Sequence, residues 1–341
     1  MRINLIDKEL PQFKANLHSH TTYSDGNFTP LQLKEYYKAN GYSAVAFTDH
    51  DIFVFHDELK DEGFIPLHGY EMEITEEGEI FDLCRACHLC FIALDENNRT
   101  PVCLHHSQYM FAGAITHFSE MAPFEGDYIR EYSPECINDI IAKAKKAGFF
   151  VTYNHPVWSL ESYPEYSRYR GMDAMEMFNY LSIVGGLDEF NHQAYDDLLR
   201  LGLDLGCTGN DDNHNSEPGN ETLDSCGAWT MLNAPELSYS SLTGALRAGR
   251  YYASMGPEIR SLYVEDERVY VETSDCTGIS FSTGSRHTAK VNAPDGKTVN
   301  SASFLIDPHD GYFRITAEDE KGKRAYSRGY RLDLLGCESD V

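Results

Sequence analysis

Short apolar runs and amphipathic polar stretches alternate along the first two thirds of the chain, and the alternation predicts repeated strand, loop, helix, strand units. Residues 13–18 (FKANLH) read as a short strand, residues 21–27 as a polar loop, and LQLKEYYKAN as a helix. Thr29 is placed to cap that helix, Pro30 sits at its first position and Gly41 lies just past its end. The small apolar run SAVAFT, 43–48, fits a buried strand. The unit recurs: a helix from Ser133-Pro134 through Lys146, a stop at Gly148 and the strand FFVTY at 149–153, then a helical stretch over 188–201 and an extended one over 204–207. Repeated units of this kind predict a parallel sheet, closed or open. From about residue 257 the texture changes to short runs such as LYV (262–264), VYV (269–271), FLI (304–306) and YFRI (312–315), with turn pairs at Asp295-Gly296 and Lys321-Gly322. That pattern predicts a small antiparallel β-sandwich. The expected division is one large barrel-like unit over 1–256 and an accessory β-sandwich over 257–341. Residues 75–84 and 105–131 have no period and are expected to be inserted loops able to cover a site.

Composition narrows the function. At 341 residues, with 42% hydrophobic and 24% charged positions, the chain has the profile of an ordinary globular protein. No run of ~18 apolar residues suggests a membrane span, and the opening MRINLIDKEL lacks the basic and apolar segments of a secretory leader. A cytoplasmic location is therefore expected. A net charge of −26 repels a long nucleic acid unless a basic groove compensates, and no Lys/Arg-rich run supplies one. Among nine cysteines, the stretch CRACHLC (84–90) stands out, because Cys84-Arg85-Ala86-Cys87-His88 has the C-x-x-C-H spacing of haem attachment and Cys90 would extend a thiolate zinc cluster. A cytoplasmic setting argues against attached haem and against disulfides.

The informative residues are histidines and acids at strand ends. His18 and His20 alternate about Ser19, so both side chains face one side of an extended segment, and Asp25 follows in the loop. His50, Glu71 and His155 end later strands, and Asp212 and His214 follow the segment around Leu205. In a barrel of parallel strands these ends open onto one face, where such folds build active sites. Burying so many imidazoles and carboxylates together leaves charges unpaired, and two or three cations remove that difficulty. Mixed nitrogen and oxygen donors suit Zn, Mn or Fe rather than an all-oxygen calcium site.

The segments NLHSHTTYSDG, AVAFTDHD, HGYEMEI, CHLCFIALD, YNHP and GNDDNH resemble the motifs of the PHP (polymerase and histidinol phosphatase) family of metal-dependent phosphoesterases, over about residues 13–255. The resemblance implies a distorted (β/α)7 TIM-like barrel and a centre of two or three divalent ions. Carried across motif by motif, the ligands would be His18, His20, Asp25, His50, Glu71, His88, His155, Asp212 and His214, with Asp211 the neighbouring alternative to Asp212. The family pattern wants a histidine at His88, which favours that reading of CRACHLC over haem or thiolates. The implied chemistry is attack by a hydroxide bridging the metals. Asp25, Asp49, His88 and His214 are the expected catalytic side chains: His88 or His214 would protonate the leaving group, and Asp49 would orient an imidazole or else cap a loop. Asn154, Asp51 and Asn179 are further supporting candidates. Some family members resembling this chain carry a basic residue after the His-Pro pair, where this chain has Val157-Trp158. Arg168, Arg170, Arg247 and Arg250 are the remaining candidates for phosphate, and Trp158, Tyr163 and Tyr166 for stacking. The expected substrate is a small phosphorylated metabolite or short nucleotide; the alternatives are hydrolysis of a C–N or lactone bond on the same metals, and a metal-bound interaction module without catalysis.

Overall fold

The computed structural model describes residues 2–335. Its strands are β1 (Arg2–Ile6), β2 (Gln12–Asn16), β3 (Ala44–Phe47), β4 (Ile65–Thr75), β5 (Ala86–Ala93), β6 (Phe149–Tyr153), β7 (Ala174–Asn179), β8 (Gly206–Asn210) and β9 (Trp229–Asn233). There follow β10 (Tyr251–Ser254), β11 (Ile259–Glu265), β12 (Arg268–Cys276), β13 (Gly278–Thr283), β14 (Ala289–Asn292), β15 (Val299–Leu305), β16 (Tyr312–Glu318), β17 (Arg324–Ser327) and β18 (Tyr330–Arg331). The first helix, Pro30–Ala39, forms where the punctuation places it. The Thr29 side chain accepts from the Gln32 backbone while the Gln32 side chain accepts from the Thr29 backbone, a reciprocal cap worth ~1 kcal/mol. Leu33 and Tyr37 are buried on its inner face, and Gly41 takes the left-handed φ of 80° that ends it.

The protein is a mixed α/β fold. Strands β2 to β8 lie side by side in sequence order within one large sheet. Pairs β2/β3, β3/β4, β6/β7 and β7/β8 are parallel, as expected from the strand–helix repeats. β5 breaks the expectation, running antiparallel to both β4 and β6. The reason is length: ten residues, 76–85, join β4 to β5, too few for a helical crossover, so the chain makes a hairpin instead. One buried cluster draws Ala15, Ala44, Leu67, Ile92, Phe150 and Ala174 from six consecutive strands, β2 to β7, onto a common core. Between β8 and β2 a regular ladder is replaced by side-chain amides: Leu17 N donates to Asn210 Oδ1 and Asp211 N to Asn16 Oδ1, both at 3.0 Å. Past the strand ends the backbones meet directly, Asp212 N to His18 O at 3.0 Å and His20 N to Asn213 O at 3.1 Å.

The large sheet continues through β9 and β10 into β17, β16, β13 and β14, all antiparallel. A second sheet, ordered β1-β11-β12-β15, faces this far end. Val264, Val271 and Phe304 of one layer and Phe281, Phe313 and Ile315 of the other share a buried cluster. The strands after residue 257 form a two-layered antiparallel region, one layer of which is continuous with β10 and β9, and β1, from the opposite end of the sequence, joins the other layer by pairing with β11. The helix expected over 188–201 is observed as His192–Arg200; ahead of it Phe190 is held in an isolated bridge to Phe178 and Asn191 turns into the first helical residue.

This helix joins the two regions. Asp196 accepts from Tyr312 (3.0 Å) and from both Nε (2.8 Å) and Nη2 (2.7 Å) of Arg314, a buried arginine on β16. Removing the carboxylate would leave a buried guanidinium without its counter-charge. Asp196→Ala is expected to lower the unfolding free energy by about 3 kcal/mol, measured by denaturant titration; a change within experimental error would show that the pair contributes nothing to the joint.

Candidate metal centre

The end of β2 sets the site. Ser19 turns outward, donating from Oγ to the Ala46 carbonyl at 2.6 Å, while Thr48 N donates to the Ser19 carbonyl at 3.0 Å. The alternation of an extended chain then points His18 and His20 inward, where both are fully buried. Glu71, at the middle of β4, lies at the hub. Its Oε1 is 3.1 Å from His18 Nε2, 3.2 Å from His88 Nδ1 and 3.5 Å from His155 Nε2; its Oε2 is 3.2 Å from His20 Nε2 and 3.3 Å from His50 Nδ1. Asp212 Oδ1 completes the inner ring at 3.1 Å from His18 Nε2 and 3.0 Å from His20 Nε2. His214 stacks on His20 with centroids 4.3 Å apart, and its Nε2 lies 3.4 Å from Asp25 Oδ2. His88 opens β5 rather than ending it. Because β5 is reversed, its beginning lies at the rim where its neighbours end, opposite Glu73.

Four overlapping sets of donor atoms converge closely enough to hold cations: His20, Asp25, His50 and His214; His18, His20, Glu71 and Asp212; His18, His155 and Glu176; His50, Glu71 and His88. A cation fits the cluster on a further count. His50 Nδ1, His88 Nε2 and Asp212 Oδ1 are buried with no hydrogen-bond partner, an expensive arrangement for polar atoms unless something else satisfies them. Three site residues also hold left-handed backbone, Asp51 (φ 55°), His155 (φ 23°) and Asp212 (φ 54°), each costing ~1–3 kcal/mol.

Burial disfavours charge throughout the cluster, yet the neighbours outweigh it. Burial pulls His18 and His20 down, but Asp212 and Glu71 hold both imidazoles well above their ordinary range. His155 is likewise raised to about 9 by Glu71 and Asp212 against its burial. Burial also pushes Glu71 and Asp212 up, and the surrounding imidazoles bring both well below the usual carboxylate range. His50 goes the other way, to about 3, through burial and the nearby His20.

The supporting residues divide clearly. Asn154 Nδ2 donates to Glu71 Oε1 (2.9 Å) and Asn179 Nδ2 to Asp212 Oδ2 (3.0 Å). Asp49 does not orient an imidazole through its carboxylate; it accepts from Thr21 N (2.7 Å), Thr21 Oγ1 (2.8 Å) and Ser24 Oγ (2.9 Å) and so fixes the loop carrying Asp25. In that loop a Cβ on Gly26 would meet the His20 carbonyl oxygen at 2.5 Å, so only glycine fits. Asp211 points away from the cluster, accepting from Tyr37 and from the backbone of Cys226, Gly227 and Ala228. Cys87 and Cys90, three apart on β5, face opposite sides: Cys90 lies by Asn154 (3.1 Å), behind Glu71, whereas Cys87 faces Glu161 and Tyr169. A thiolate cluster on CRACHLC is thereby disfavoured by the strand itself.

The arginines singled out in the sequence lie elsewhere. Arg168 pairs with Glu135 (3.0 Å) and Arg170 binds the Ser167 and Tyr169 carbonyls (both 2.7 Å) on the outside of helix Pro134–Lys146. Arg250 reaches the Asn233 carbonyl (3.4 Å), beside Gln12, and Arg247 is exposed three residues before it. Gln12 begins β2 six residues from His18, roughly 20 Å away in an extended chain. Arg168, Arg170 and Arg250 thus find their partners away from the cluster. Trp158 is at the site, edge-on to His88 (5.0 Å) and His155 (5.2 Å). Tyr163 is exposed and Tyr166 is turned to Asp197 (3.1 Å).

Two buried acids escaped the sequence reading. Glu176 on β7 accepts from His18 Nδ1 (2.8 Å), Asn210 Nδ2 (2.9 Å), Asn179 Nδ2 (3.0 Å) and His155 N (3.2 Å). Glu189 accepts from the backbone of Val157 and Trp158 and holds the turn after His155. The signal for Glu176 was present, a lone acid inside the apolar run Ala174-Met175-Glu176-Met177-Phe178.

Residues 16–155 match the model of the PHP domain family. Among solved structures the chain is similar to a two-domain protein from Bacteroides vulgatus ATCC 8482 containing a predicted PHP-like metal-dependent phosphoesterase, at 16% identity and TM-score 0.46 over 95% of this chain and 96% of that one. It is also similar to a candidate metal-dependent phosphoesterase from Bifidobacterium adolescentis ATCC 15703 (21% identity, TM-score 0.37, 60% and 89% covered). A third similar structure is an amidohydrolase from Chromobacterium violaceum with bound sulfate and no metal (14% identity, TM-score 0.38, 61% and 89% covered). No curated protein matches the chain.

Metal uptake at pH 7 is expected to release protons, because His155, at about 9 in the metal-free cluster, must become neutral to bind. Affinity should therefore rise with pH up to about 9. Calorimetry in two buffers of different ionisation enthalpy measures the release, and uptake without it would count against imidazole ligation. Glu176→Gln, which loosens the hold on His18 Nδ1, should weaken metal binding ~10–100-fold in a chelator competition.

Proposed function

We propose that the chain is a metal-dependent phosphoesterase acting on a small phosphorylated compound. The observation that carries the reading is the Glu71 carboxylate of the PHP-matching segment, with three imidazoles at one oxygen and two at the other. We read the strands β2 to β8 as a distorted seven-stranded barrel whose rim holds this cluster, and the two-layered region as an accessory β-sandwich. The boundary is drawn near residue 256, with Arg2–Ile6 assigned to the sandwich by its pairing with β11.

His18, His20, His50, Glu71, His88, His155 and Asp212 would hold two or three divalent ions of the Zn, Mn or Fe type, with Asp25 at the outer position. Bound there, such ions supply Lewis acidity that offsets charge on a phosphoryl group and acidifies water near neutral pH. The residues do the rest. Glu71 sets the spacing of the two halves of the cluster, while Glu176 fixes the His18 ring through Nδ1 and leaves Nε2 facing inward. Asn154 and Asn179 hold the Glu71 and Asp212 carboxylates from behind. Asp49 keeps the loop of Asp25 in place. His214, with its side chain 18% exposed and Asp25 Oδ2 3.4 Å from Nε2, is the imidazole best placed to pass a proton to a departing alkoxide. Among the described residues no helix is long and apolar enough to cross a membrane, and the acidic chain favours small substrates over a long nucleic acid.

Protein loaded with manganese or zinc is expected to release inorganic phosphate from members of a phosphomonoester panel, or an alcohol and a phosphomonoester from members of a phosphodiester panel, and Glu71→Gln to abolish the release. Turnover confined to amides or lactones would replace the phosphoester reading with the C–N or lactone one. Stoichiometric metal with no turnover on either panel would leave a binding module.

A further inference from the structure

A recess of about 450 Å³ opens beside the metal centre, walled by Phe81, Tyr109 and Phe111 with Asp51, Glu73 and Arg130 at its polar side. It adjoins the cluster at two points. The Phe111 ring lies flat on His50, centroids 4.5 Å apart and 15° between planes, and Glu73 Oε2 is 3.7 Å from His88 Nε2. Both irregular stretches contribute, Phe81 from one and Tyr109, Phe111 and Arg130 from the other. Phe81 also borders a second recess of about 240 Å³, whose far wall includes Trp158. The cluster's open side is thus flanked by aromatic rings.

The polar side is built and nearly closed. The Arg130 guanidinium is paired with both oxygens of Asp51, donates to the Glu73 carbonyl at 2.9 Å and lies over the Tyr109 ring at 4.4 Å. Its Nε, in a side chain only 2% exposed, is buried without a hydrogen-bond partner. One cation faces two carboxylates, Asp51 and Glu73, so the recess has an acidic balance that repels a second phosphate or a carboxylate. Rings on the walls favour a flat apolar group. One unsatisfied N–H asks for an acceptor.

We propose that this recess receives the alcohol part of the substrate, and that the part is an uncharged planar ring with a hydrogen-bond acceptor at its edge. This rests on the phosphoesterase reading of the metal centre. It selects among phosphoesters by excluding leaving groups that carry their own negative charge.

The test compares 4-pyridylmethyl, benzyl, ethyl and 4-carboxybenzyl phosphates, all esters of primary alcohols, on the metal-loaded full chain. The two neutral ring esters should exceed ethyl phosphate by at least ~10-fold in kcat/KM, the scale of burying one ring, and the carboxylate ester should be worst. Phe81→Ala removes a side chain that is 57% exposed, so the fold should survive it; the ratio of benzyl to ethyl ester is expected to fall ~5-fold. Glu73→Gln should narrow the gap between the benzyl and 4-carboxybenzyl esters. Equal values across the four esters, or preference for the carboxylate, would overturn the proposal. If none of the four esters is hydrolysed, the phosphoesterase reading is decided by the wider phosphomonoester and phosphodiester panel, and the recess is judged separately, by NMR titration of 4-pyridylmethanol into metal-free protein. Saturable binding weakened by Phe81→Ala supports the recess, and absence of binding overturns it.

Discussion

Charge compensation around Glu71 is the constraint on which the arrangement depends. Glu71, Asp212 and Glu176 are buried carboxylates gathered within one shell of imidazoles. An isolated buried carboxylate costs several kcal/mol even after relaxation, so the cluster exists only if cations of some kind share it. Protons serve in the metal-free chain, which is why His18 and His20 are held high while Glu71 and Asp212 are held low. Divalent ions would replace those protons at the same atoms. Proton-holding and metal-holding are therefore two states of one electrostatic design, with the left-handed backbones at His155 and Asp212 giving the ring its closing geometry.

Much of this was readable before the fold was known, and the reason is periodicity. The helix at 30–39 carries its own cap, the one at 134–146 its own Pro start, and His18 and His20 are placed inward by nothing more than extended-chain alternation. What escaped depends on pairings that local sequence does not encode. The reversal of β5 follows from a short connection, and it moved His88 from the wrong end of its strand to the right rim. Asp211 and Asp212 are equal in sequence, and only the turn over 226–228, which captures Asp211 with three backbone amides, separates them. Arg168, Arg170 and Arg250 stand near motifs in sequence yet find their partners away from the cluster, whereas Arg130, in a stretch without pattern, reaches Asp51.

The two irregular stretches share a physical logic. The second contains one short helix, Ala112–His117, and both are tied down by contacts at the rim: Phe111 on His50, Arg130 on Asp51, Arg85 on Glu76 and Glu165. Loops held by a rigid sheet at their bases and by single polar anchors at their tips suit a role in recognition, since their composition can vary without disturbing the strands that carry the donors.

The pairing of β1 with β11 joins Arg2 to Glu265, and that has a consequence for biogenesis. During vectorial synthesis at about 5–20 residues per second, the leading strand emerges from the ribosome on the order of tens of seconds before its partner exists. For that interval its amides and carbonyls are left as an open edge. The polar character of Arg2-Ile3-Asn4, with a charge and an amide at alternate positions, is what keeps so early a strand from finding the wrong neighbour.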